Sequence, residues 1–377
     1  MRVQQLSVTN FRNYDAADLS LDGGITIFLG PNGQGKTNIV EAVHFLSSLS
    51  SHRIAQDQAL IKKDAEQAII RANVVSENRS ILLEVELNRS GRNRAQVNQN
   101  SARIRDFPRY FSSVLFAPED LQLVRGEPEL RRNFADDIVA GFAPRMVGVY
   151  ADYDRVIKQR NTLLKSLKNV PGRNRETSTL ELWDEKLVSL AVEITQMRIQ
   201  LIQRLSPRLS DNYQQIAGVD QHPALALKLS VDDEDTDQGR SFDAETYGRE
   251  LAGRITENRA KEIERGASMF GPHRDDVVFS LNDLPTKGYA SHGETWSFVL
   301  SLKLASAELL KDESPLGDPV LILDDVFAEL DASRRERLAG RIAEFEQCLI
   351  TCAVADDLPA ELSGTVFDVS RGTVARA

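Results

Sequence analysis

Residues 30–37, Gly30-Pro31-Asn32-Gly33-Gln34-Gly35-Lys36-Thr37, form a complete G-x-x-x-x-G-K-[ST] phosphate loop. The three glycines allow a tight turn that points backbone N–H groups at phosphate oxygens. The Lys36 ammonium can reach the outer phosphates, and the Thr37 hydroxyl can coordinate Mg²⁺. A strand-type apolar run, residues 25–29, precedes the loop, and a run with helical spacing begins at Asn38. The sequence therefore predicts that residues 30–38 bind a nucleoside triphosphate, with Lys36 also serving catalysis.

The composition is that of an ordinary globular protein. Its 377 residues favour two domains, or one domain with a large insertion. Hydrophobic residues make up 41% and charged residues 27% of the chain. No apolar stretch reaches the length of a membrane span, and residues 1–8 alternate as a strand does, so we expect a cytoplasmic protein without a membrane segment. Cys348 and Cys352 lie in one apolar run and are expected to be buried, reduced thiols.

The distribution of charge bears on nucleic-acid binding. The net charge of −10 argues against a protein that coats nucleic acid over its whole surface. Residues 51–110 nevertheless contain eleven Lys or Arg against seven Asp or Glu, and residues 155–175 contain seven basic residues and no acidic one. Acidic residues concentrate at positions 232–235. Because such runs are usually solvated faces, each basic segment is only a candidate for DNA contact.

Hydrophobic patterning indicates a change of structure near Pro118. Residues 68–116 alternate apolar and polar side chains, with turn residues at 77–78 and 90–91, and predict an antiparallel meander. Residues 121–264 have helical spacing, and a heptad seam facing an apolar stripe in residues 153–167 predicts an antiparallel hairpin closed by a turn at 170–179. A lever and a plain bundle core are both compatible with this hairpin. The seam comprises Leu180, Trp183, Leu187, Leu190, Ile194, Met197 and Leu201.

A second nucleotide motif lies far from the first. The run Pro319-Val320-Leu321-Ile322-Leu323-Asp324-Asp325 has the form of a Walker B strand, which places Asp324 beside the phosphate loop to help hold Mg²⁺. Asp325 is then positioned to orient or deprotonate the attacking water. Lys36 and Asp324 are 288 positions apart, more than a compact nucleotide-binding domain needs. The sequence therefore predicts a split ATPase head, residues 1–120 and 265–377, folded around an inserted helical domain at 121–264.

Six segments, in the same order, resemble the RecF family of bacterial recombination mediators, relatives of the SMC and Rad50 ATPases. The resemblance covers nearly the whole chain and implies an α/β fold, an ABC-type P-loop ATPase head of mixed sheets and helices. This head is split by a mainly helical inserted domain with an antiparallel helical hairpin. The segments are Asn10–Tyr14, the phosphate loop, Phe116–Leu121 followed by Arg131 and Arg132, Gln159–Asn161, Gly271–Asp276, and the Walker B strand with Asp331.

The resemblance also implies a function and partners. It implies a homodimer that forms on ATP binding, uses ATP and Mg²⁺, and binds single- or double-stranded DNA, with gaps and strand junctions as favoured targets. Together with RecO and RecR, such a protein promotes the loading of RecA in recombinational repair and replication. The implied enzyme is a weak DNA-dependent ATPase that acts as a switch.

The resemblance assigns further residues to the nucleotide. Ser291 and Gly293 match the signature loop of ABC-type heads, which contacts the γ-phosphate held by the other subunit, aided by the N-terminus of the following helix. Arg12 matches a position near phosphate and Asn13 one near the base, although a polar turn between two strands is the alternative. Residues 271–276 either couple the inserted domain to the head or form a salt-bridged scaffold.

Departures from the ABC pattern predict slow hydrolysis. Glu119 and Asp120 lie where a metal-binding Q-loop would lie, but no glutamine is identifiable as its metal ligand and none is assigned. The substituted positions are His292 for a glycine, Glu294 for a glutamine, Asp325 for the glutamate of most ABC enzymes, and Cys352-Ala353-Val354 where many carry a switch histidine.

Two other functions remain as alternatives. The ATPase subunit of an ABC transporter has a similar head but keeps its nucleotide motifs closer together. A DNA clamp that binds ATP without hydrolysing it would not need the Asp324–Asp325 pair. For DNA contact, we predict that pairing of two heads aligns basic residues into one groove that recognises shape and not base sequence. These are Arg53, Lys62, Lys63, Arg92 and Arg94.

Overall fold

The computed structural model of the protein describes residues 1–54, 56–76, 79–168, 170, 178–232 and 242–377. Its strands in chain order are β1 (Arg2–Phe11), β2 (Tyr14–Ser20), β3 (Gly24–Leu29), β4 (Gln67–Ser76), β5 (Arg79–Asn88), β6 (Arg94–Val97), β7 (Asn100–Ala102), β8 (Ser113–Phe116), β9 (Ala224–Lys228), β10 (Asp276–Leu281), β11 (Leu284–Pro285), β12 (Val320–Asp324), β13 (Gln347–Cys352), β14 (Thr365–Ser370) and β15 (Thr373–Arg376). Its α-helices are α1 (Lys36–Ser48), α2 (Gln122–Arg125), α3 (Pro128–Phe142), α4 (Met146–Lys168), α5 (Ser178–Ala217), α6 (Ala244–Glu257), α7 (Arg259–Arg265), α8 (Thr286–Tyr289), α9 (His292–Glu313) and α10 (Ala332–Ile342). No helix among these residues is both long and apolar enough to cross a membrane.

The chain clusters into two units. Unit 1 comprises Met1–Gln122, Arg208–Gln221 and Ser291–Ala377, and unit 2 comprises Leu123–Pro207 and His222–Ala290. Residues 265–290, placed with the head by sequence pattern, cluster with unit 2. The reason is strand pairing, because β10 runs antiparallel to β9 and forms with it and β11 a three-stranded sheet in that unit.

A six-stranded sheet in unit 1 carries both nucleotide motifs. Its strand order is β15-β14-β3-β13-β12-β8, and every neighbouring pair is parallel except β14 with β15. The register pairs Cys352 with Leu29 and Asp324 with Thr351, so β3, β13 and β12 end at one edge. Strands from both ends of the chain alternate in this sheet. This arrangement explains how motifs separated by most of the sequence meet, and it confirms the predicted α/β head.

The second sheet of unit 1 is antiparallel, with order β2-β1-β4-β5-β6-β7. Strands β4 to β7 correspond to the predicted meander, and the predicted turn at 90–91 separates β5 from β6. The turn predicted at 77–78 lies outside the described residues. The meander prediction was wrong for β8, which instead pairs in parallel with β12. Its consecutive residues Val114, Leu115 and Phe116 are all buried, as in a strand covered on both faces.

Helix α1 lies between the two sheets. Its apolar residues Ile39, Val43 and Phe45 belong to one core cluster with Ile70 of the antiparallel sheet and Ile322 of the parallel sheet. Burying a single such side chain contributes about 1.5–3 kcal/mol, so the helix that begins with the phosphate loop is firmly held. Both cysteines are free and buried, as predicted, and burial raises the pKa of each thiol.

Unit 2 contains the predicted antiparallel hairpin, formed by α4 and by α5 as far as Pro207, while residues 208–217 of α5 belong to unit 1. Arg145 pairs with Glu193, Arg160 with Asp184, and Leu167 lies in a cluster with Leu180, so contacts move down one helix as they move up the other. Most of the predicted turn, residues 171–177, lies outside the described residues. Every second seam residue, at intervals of seven positions, is buried, whereas the seam residues between them are half-buried. The buried ones are Leu180, Leu187, Ile194 and Leu201.

A buried arginine closes the hairpin. Arg160 is fully buried and donates from Nε to Asp184 Oδ1 at 2.7 Å, from Nη1 to Ser268 Oγ at 2.7 Å and from Nη2 to Glu262 Oε2 at 2.5 Å. Next to it, Asn161 Oδ1 accepts from the backbone N of Ser268 at 2.7 Å. The Gln159–Asn161 segment therefore ties α4 to α5, α7 and residue 268.

The Gly271–Asp276 segment is a salt-bridged scaffold within unit 2. Arg131 of α3 donates to both carboxylate oxygens of Asp276 at 2.8 Å. The buried Asp275 accepts from Ser230 N at 2.7 Å, and Tyr153 and His273 share a hydrogen bond of 2.8 Å. These contacts join α3, α4 and the three-stranded sheet, which supports the scaffold interpretation of this motif.

Candidate nucleotide site at the carboxyl edge of the parallel sheet

The phosphate loop adopts a backbone that only glycine tolerates at two positions. Gly30 has φ of 156°, and a Cβ there would collide with the backbone oxygen of Val369. Gly35 has φ of 120° and immediately precedes α1, and a Cβ there would lie 2.7 Å from the Tyr14 hydroxyl. Both glycines are therefore required for the loop to turn against its neighbours.

Side chains around the loop hold it in place. The Lys36 side chain is buried, and its Nζ donates to Pro31 O at 3.3 Å and to Asn32 Oδ1 at 3.1 Å. Asn13 Nδ2 donates to Gln34 O at 2.9 Å. The loop thus presents one ammonium and the N-terminus of a 13-residue helix to the same space, an arrangement suited to a polyphosphate.

The two nucleotide motifs are in direct contact. Thr37 Oγ1 donates to Asp324 Oδ1 at 2.9 Å, and Thr351 Oγ1 donates to the same oxygen at 2.6 Å. Burial raises the pKa of Asp324 to about 6, and the neighbouring charge of Asp325 adds to this, while the two threonine hydrogen bonds oppose it. A buried carboxylate under such repulsion, next to a threonine hydroxyl, offers the oxygen ligands that Mg²⁺ prefers.

Mg²⁺ fits this site as a partner of the nucleotide. No group of three or more His, Cys, Asp or Glu residues in the described chain could hold a metal ion alone. Mg²⁺ in phosphate sites is commonly held by one or two protein oxygens together with the phosphates themselves. Thr37 and Asp324 match that donor set.

Asp325 occupies a strained backbone position beside Asp324. Its φ is 52°, in the left-handed region that Asp and Asn tolerate better than most residues. Its backbone N donates to Thr351 Oγ1 at 2.9 Å. Thr351 therefore contacts the carboxylate of Asp324 and the backbone of Asp325.

We predict that Asp324→Asn stabilises the nucleotide-free protein. Because the folded pKa lies above the usual 3.8, the free energy of unfolding falls as pH rises from about 4 to about 6. At pH 7 the neutral isostere removes this penalty, so we expect a gain of about 1–3 kcal/mol. Urea unfolding followed by Trp296 fluorescence in a Trp183→Phe background measures it, with Asp312→Asn on the surface of α9 as the control. A variant no more stable than its parent at pH 7 would contradict the raised pKa of Asp324.

The signature-like loop caps α9. Ser291 Oγ accepts from Glu294 N at 3.3 Å, and Ser291 N donates to Glu294 Oε2 at 2.7 Å, which makes a capping box. Gln221 Nε2 donates to Glu294 Oε1 at 2.8 Å. These bonds lower the pKa of Glu294 and engage both of its oxygens. The acidic side chain that departs from the ABC pattern is thus engaged in the cap, while Ser291 is exposed and Gly293 half-exposed at the helix N-terminus.

Arg12 and Asn13 lie next to α1 in different roles. Arg12 donates to both carboxylate oxygens of the buried Glu41, at 2.8 and 2.6 Å. Its guanidinium is therefore committed to α1, whereas Asn13 bridges Gln34 and Asn38. Both line a cavity of about 500 Å³, which extends from the start of α1. Its other lining residues are Asn38, Arg53, Gln58, Ala59, Ile61, Lys63 and Arg89.

The five predicted DNA-contacting residues all lie in unit 1. Arg53 and Lys63 line the cavity, and Arg53 Nη1 donates to Asn38 Oδ1 at 3.1 Å. Lys62 pairs with Asp15, and Arg94 lies 3.6 Å from Glu86. Arg92 is exposed between β5 and β6. Asn93 Nδ2, between Arg92 and Arg94, donates to Asp57 Oδ2 at 2.9 Å, so the β5–β6 turn contacts the residue that precedes the cavity-lining Gln58.

Sequence reasoning missed three residues of the site. Glu41, Thr351 and His52 all lie close to predicted site residues. Thr351 is the penultimate residue of β13, the buried strand next to the Walker B strand. A hydroxyl at the end of such a strand could have been predicted from the sequence to lie near Asp324. Glu41 and His52 carry no such signal in the sequence.

Comparisons with known proteins agree with this geometry. The model of the RecF/RecN/SMC N-terminal domain matches residues 2–364. The DNA replication and repair protein RecF of Leifsonia xyli is 51% identical over 385 residues, covering 99% of each chain, and that of Streptomyces avermitilis is 47% identical over 380 residues, covering 100% of each. Among solved structures, the recombination mediator protein RecF-ATP in the RecFOR pathway is 25% identical, with a TM-score of 0.87 over 100% of this chain and 99% of that one. An Smc head domain from Pyrococcus furiosus is 15% identical, with a TM-score of 0.56 over 100% of this chain and 95% of that one, and shares the fold.

Proposed function

The chain belongs to the RecF family of SMC-related ATPases, and we propose that it is an ATP-dependent DNA-binding protein of recombinational repair and replication. The observation that carries this proposal is the hydrogen bond of 2.9 Å between Thr37 and Asp324. It joins residues from opposite ends of the chain into one nucleotide site. The head is thus proposed to be a single ATPase built from both ends of the sequence.

Within this site, residues 30–38 would bind the phosphates and Thr37 with Asp324 would hold Mg²⁺. The metal, when bound, would neutralise charge on the phosphate oxygens. Lys36 would add its charge to the outer phosphates, and Asp325 would accept a proton from the attacking water. Asn13 and the cavity beyond Asn38 offer space for the ribose and base.

A second copy of the chain is proposed to complete the site. Ser291 and Gly293 stand at the N-terminus of the 22-residue α9, where backbone N–H groups favour an anion. In the proposed ATP-bound homodimer these groups would contact the γ-phosphate held by the other copy. Release would follow slow hydrolysis, because no switch histidine stands after Thr351 and the base is the shorter Asp325.

DNA is the proposed target of the ATP-bound dimer. Five basic residues would neutralise backbone phosphates of the DNA. Arg53 and Lys63 line the cavity, Lys62 lies next to Lys63 in the sequence, and Arg92 and Arg94 lie at the β5–β6 turn. Binding should then weaken steeply with salt. Gapped DNA and strand junctions are the expected targets, and RecO and RecR are the expected partners. Together they would promote the loading of RecA.

Two alternatives fit less well. An ABC transporter subunit does not account for unit 2 or for relatives named as DNA replication and repair proteins. A clamp that never hydrolyses ATP does not account for the Asp324–Asp325 pair, which costs stability in the absence of metal.

Sedimentation velocity tests the proposal. We expect a monomer without nucleotide, a dimer with ATP and Mg²⁺, and a larger complex when gapped DNA is added. Lys36→Arg is the control, because a guanidinium cannot reproduce the bonds of Nζ within the loop. A parent protein that stays monomeric and free of DNA with ATP would refute the proposed function.

A further inference from the structure

His52 is a largely buried side chain whose ring nitrogens have no hydrogen-bond partner among the described residues. Its side chain is 11% exposed, and neither Nδ1 nor Nε2 makes a hydrogen bond with any other described residue. Buried polar atoms in folded proteins are nearly always hydrogen-bonded, because leaving one unpaired costs about 1–3 kcal/mol. An imidazole held in this way indicates a binding partner that is not part of the chain.

The imidazole faces the free oxygen of the Walker B aspartate. His52 Nε2 lies 3.9 Å from Asp324 Oδ2, whereas Thr37 and Thr351 both bond to Oδ1. A separation of 3.9 Å is too long for a direct hydrogen bond. It is suited to one oxygen atom that contacts both groups.

The loop that carries His52 is fastened to α1 on both sides. Ser51 Oγ donates to Glu41 at 2.5 Å and accepts from Arg53 N at 3.0 Å, and Arg53 Nη1 donates to Asn38. Glu41 is in turn held by the bidentate pair with Arg12. The helix that positions Thr37 therefore also positions His52.

We propose that His52 is a positioning residue that, together with Asp324, holds one oxygen of the bound Mg·ATP complex. This oxygen is that of a metal-bound water, which can donate to the Asp324 carboxylate, whereas a phosphate oxygen cannot. The inference rests on the proposed function, because it requires ATP at the phosphate loop. His52 would then supply the site with a polar side chain from the same subunit. The sequence has no switch histidine after Thr351, and no glutamine is assigned as a Q-loop ligand.

Nucleotide-binding calorimetry on His52 variants tests this role without relying on turnover. The amide nitrogen of His52→Gln reaches about as far as Nε2, whereas that of His52→Asn reaches only as far as Nδ1. We expect His52→Ala and His52→Asn to weaken binding of a non-hydrolysable ATP analogue with Mg²⁺ about tenfold, the loss of one hydrogen bond. His52→Gln should retain affinity close to that of the parent, and all variants should bind equally when EDTA replaces Mg²⁺.

A neighbouring histidine provides a matched control. His44 packs edge to face on His52 at 6.4 Å, but its Nδ1 is 3.0 Å from Ser113 Oγ. His44→Gln should therefore leave the affinity unchanged. Titration with ADP and Mg²⁺ then locates this water, since a defect shared with ADP shows that it is held without the γ-phosphate and a defect confined to the ATP analogue shows that it is held only when the γ-phosphate is present.

Three outcomes would overturn the inference. His52→Ala binding Mg²⁺ with the analogue as tightly as the parent excludes a contact. Equal weakening with and without Mg²⁺, or a failure of His52→Gln to recover affinity while its thermal unfolding matches the parent's, excludes a role through Nε2. If the parent itself binds no nucleotide, the proposed function fails, which separates that result from the other three.

Discussion

Asp325→Asn should lower the rate of ATP hydrolysis by about a hundredfold or more while leaving ATP binding intact, because it removes the proposed base and little else. Asparagine suits the left-handed backbone at this position, where φ is 52°. The bond from the backbone N to Thr351 Oγ1 does not depend on the side chain. The local structure should therefore survive the change.

The same variant should prolong the life of the proposed ATP-bound dimer on DNA. Single-turnover hydrolysis measures the first effect, and dissociation from gapped DNA after a chase measures the second. Asp325→Ala is the comparison, since it also lacks the base but adds strain at positive φ. A variant that hydrolyses ATP at the parent rate would exclude Asp325 as base. One that loses hydrolysis but leaves DNA as fast as the parent would show that hydrolysis is not the release step.

Arg160→Met should reduce the free energy of unfolding of unit 2 by about 3–5 kcal/mol, the cost of breaking a buried ion pair by removing one partner. The change leaves the carboxylate of Glu262, fully buried, without its cation. Asp184 retains Arg259 at 2.6 Å, so most of the penalty should fall on Glu262. Restoring neutrality with Glu262→Gln should then recover part of the loss, which a double-mutant cycle measures.

The two tryptophans allow this effect to be located. Trp183 lies in unit 2 and Trp296 in unit 1, so a Trp296→Phe background makes fluorescence report on unit 2. Arg155→Met on the same helix is the matched control, because Arg155 is exposed and its salt bridge within the described residues is with Asp152, one turn away. We expect that control to change stability by less than about 0.5 kcal/mol. If both variants lost the same free energy of unfolding, the burial of Arg160 would not account for its contribution to stability.

The parts of the fold that the sequence could predict are those whose signal is local. The phosphate loop and the Walker B strand each carry their own geometry, and their separation alone was sufficient to infer a split head. Strand partners are not local in this sense. Ser113–Phe116 has the apolar character of a strand, but nothing in its four residues states which sheet will accept it.

The site shows the same limit. Arg12 was matched to phosphate by position, but its guanidinium pairs with Glu41, a residue 29 positions away that looks like an ordinary helix side chain. Long side chains choose partners by what the tertiary fold places within reach. His52 and Thr351 enter the site for the same reason, because the loop after α1 and the end of β13 reach the edge where Asp324 lies.

Early and late strands are interleaved in the parallel sheet, and this order determines when each part of the nascent chain can fold during translation. In the described part of the chain, strand β3 pairs with β13 and β14, so its neighbours begin at Gln347 and Thr365. At about 5–20 residues per second, a ribosome needs roughly 15–60 s to travel from β3 to β13. The antiparallel sheet can close long before that, leaving the apolar side of α1 that faces the later strands uncovered meanwhile. A polypeptide released before β13 and β14 are made would therefore expose apolar surface and have no complete phosphate-binding site. Full-length chains alone could bind nucleotide.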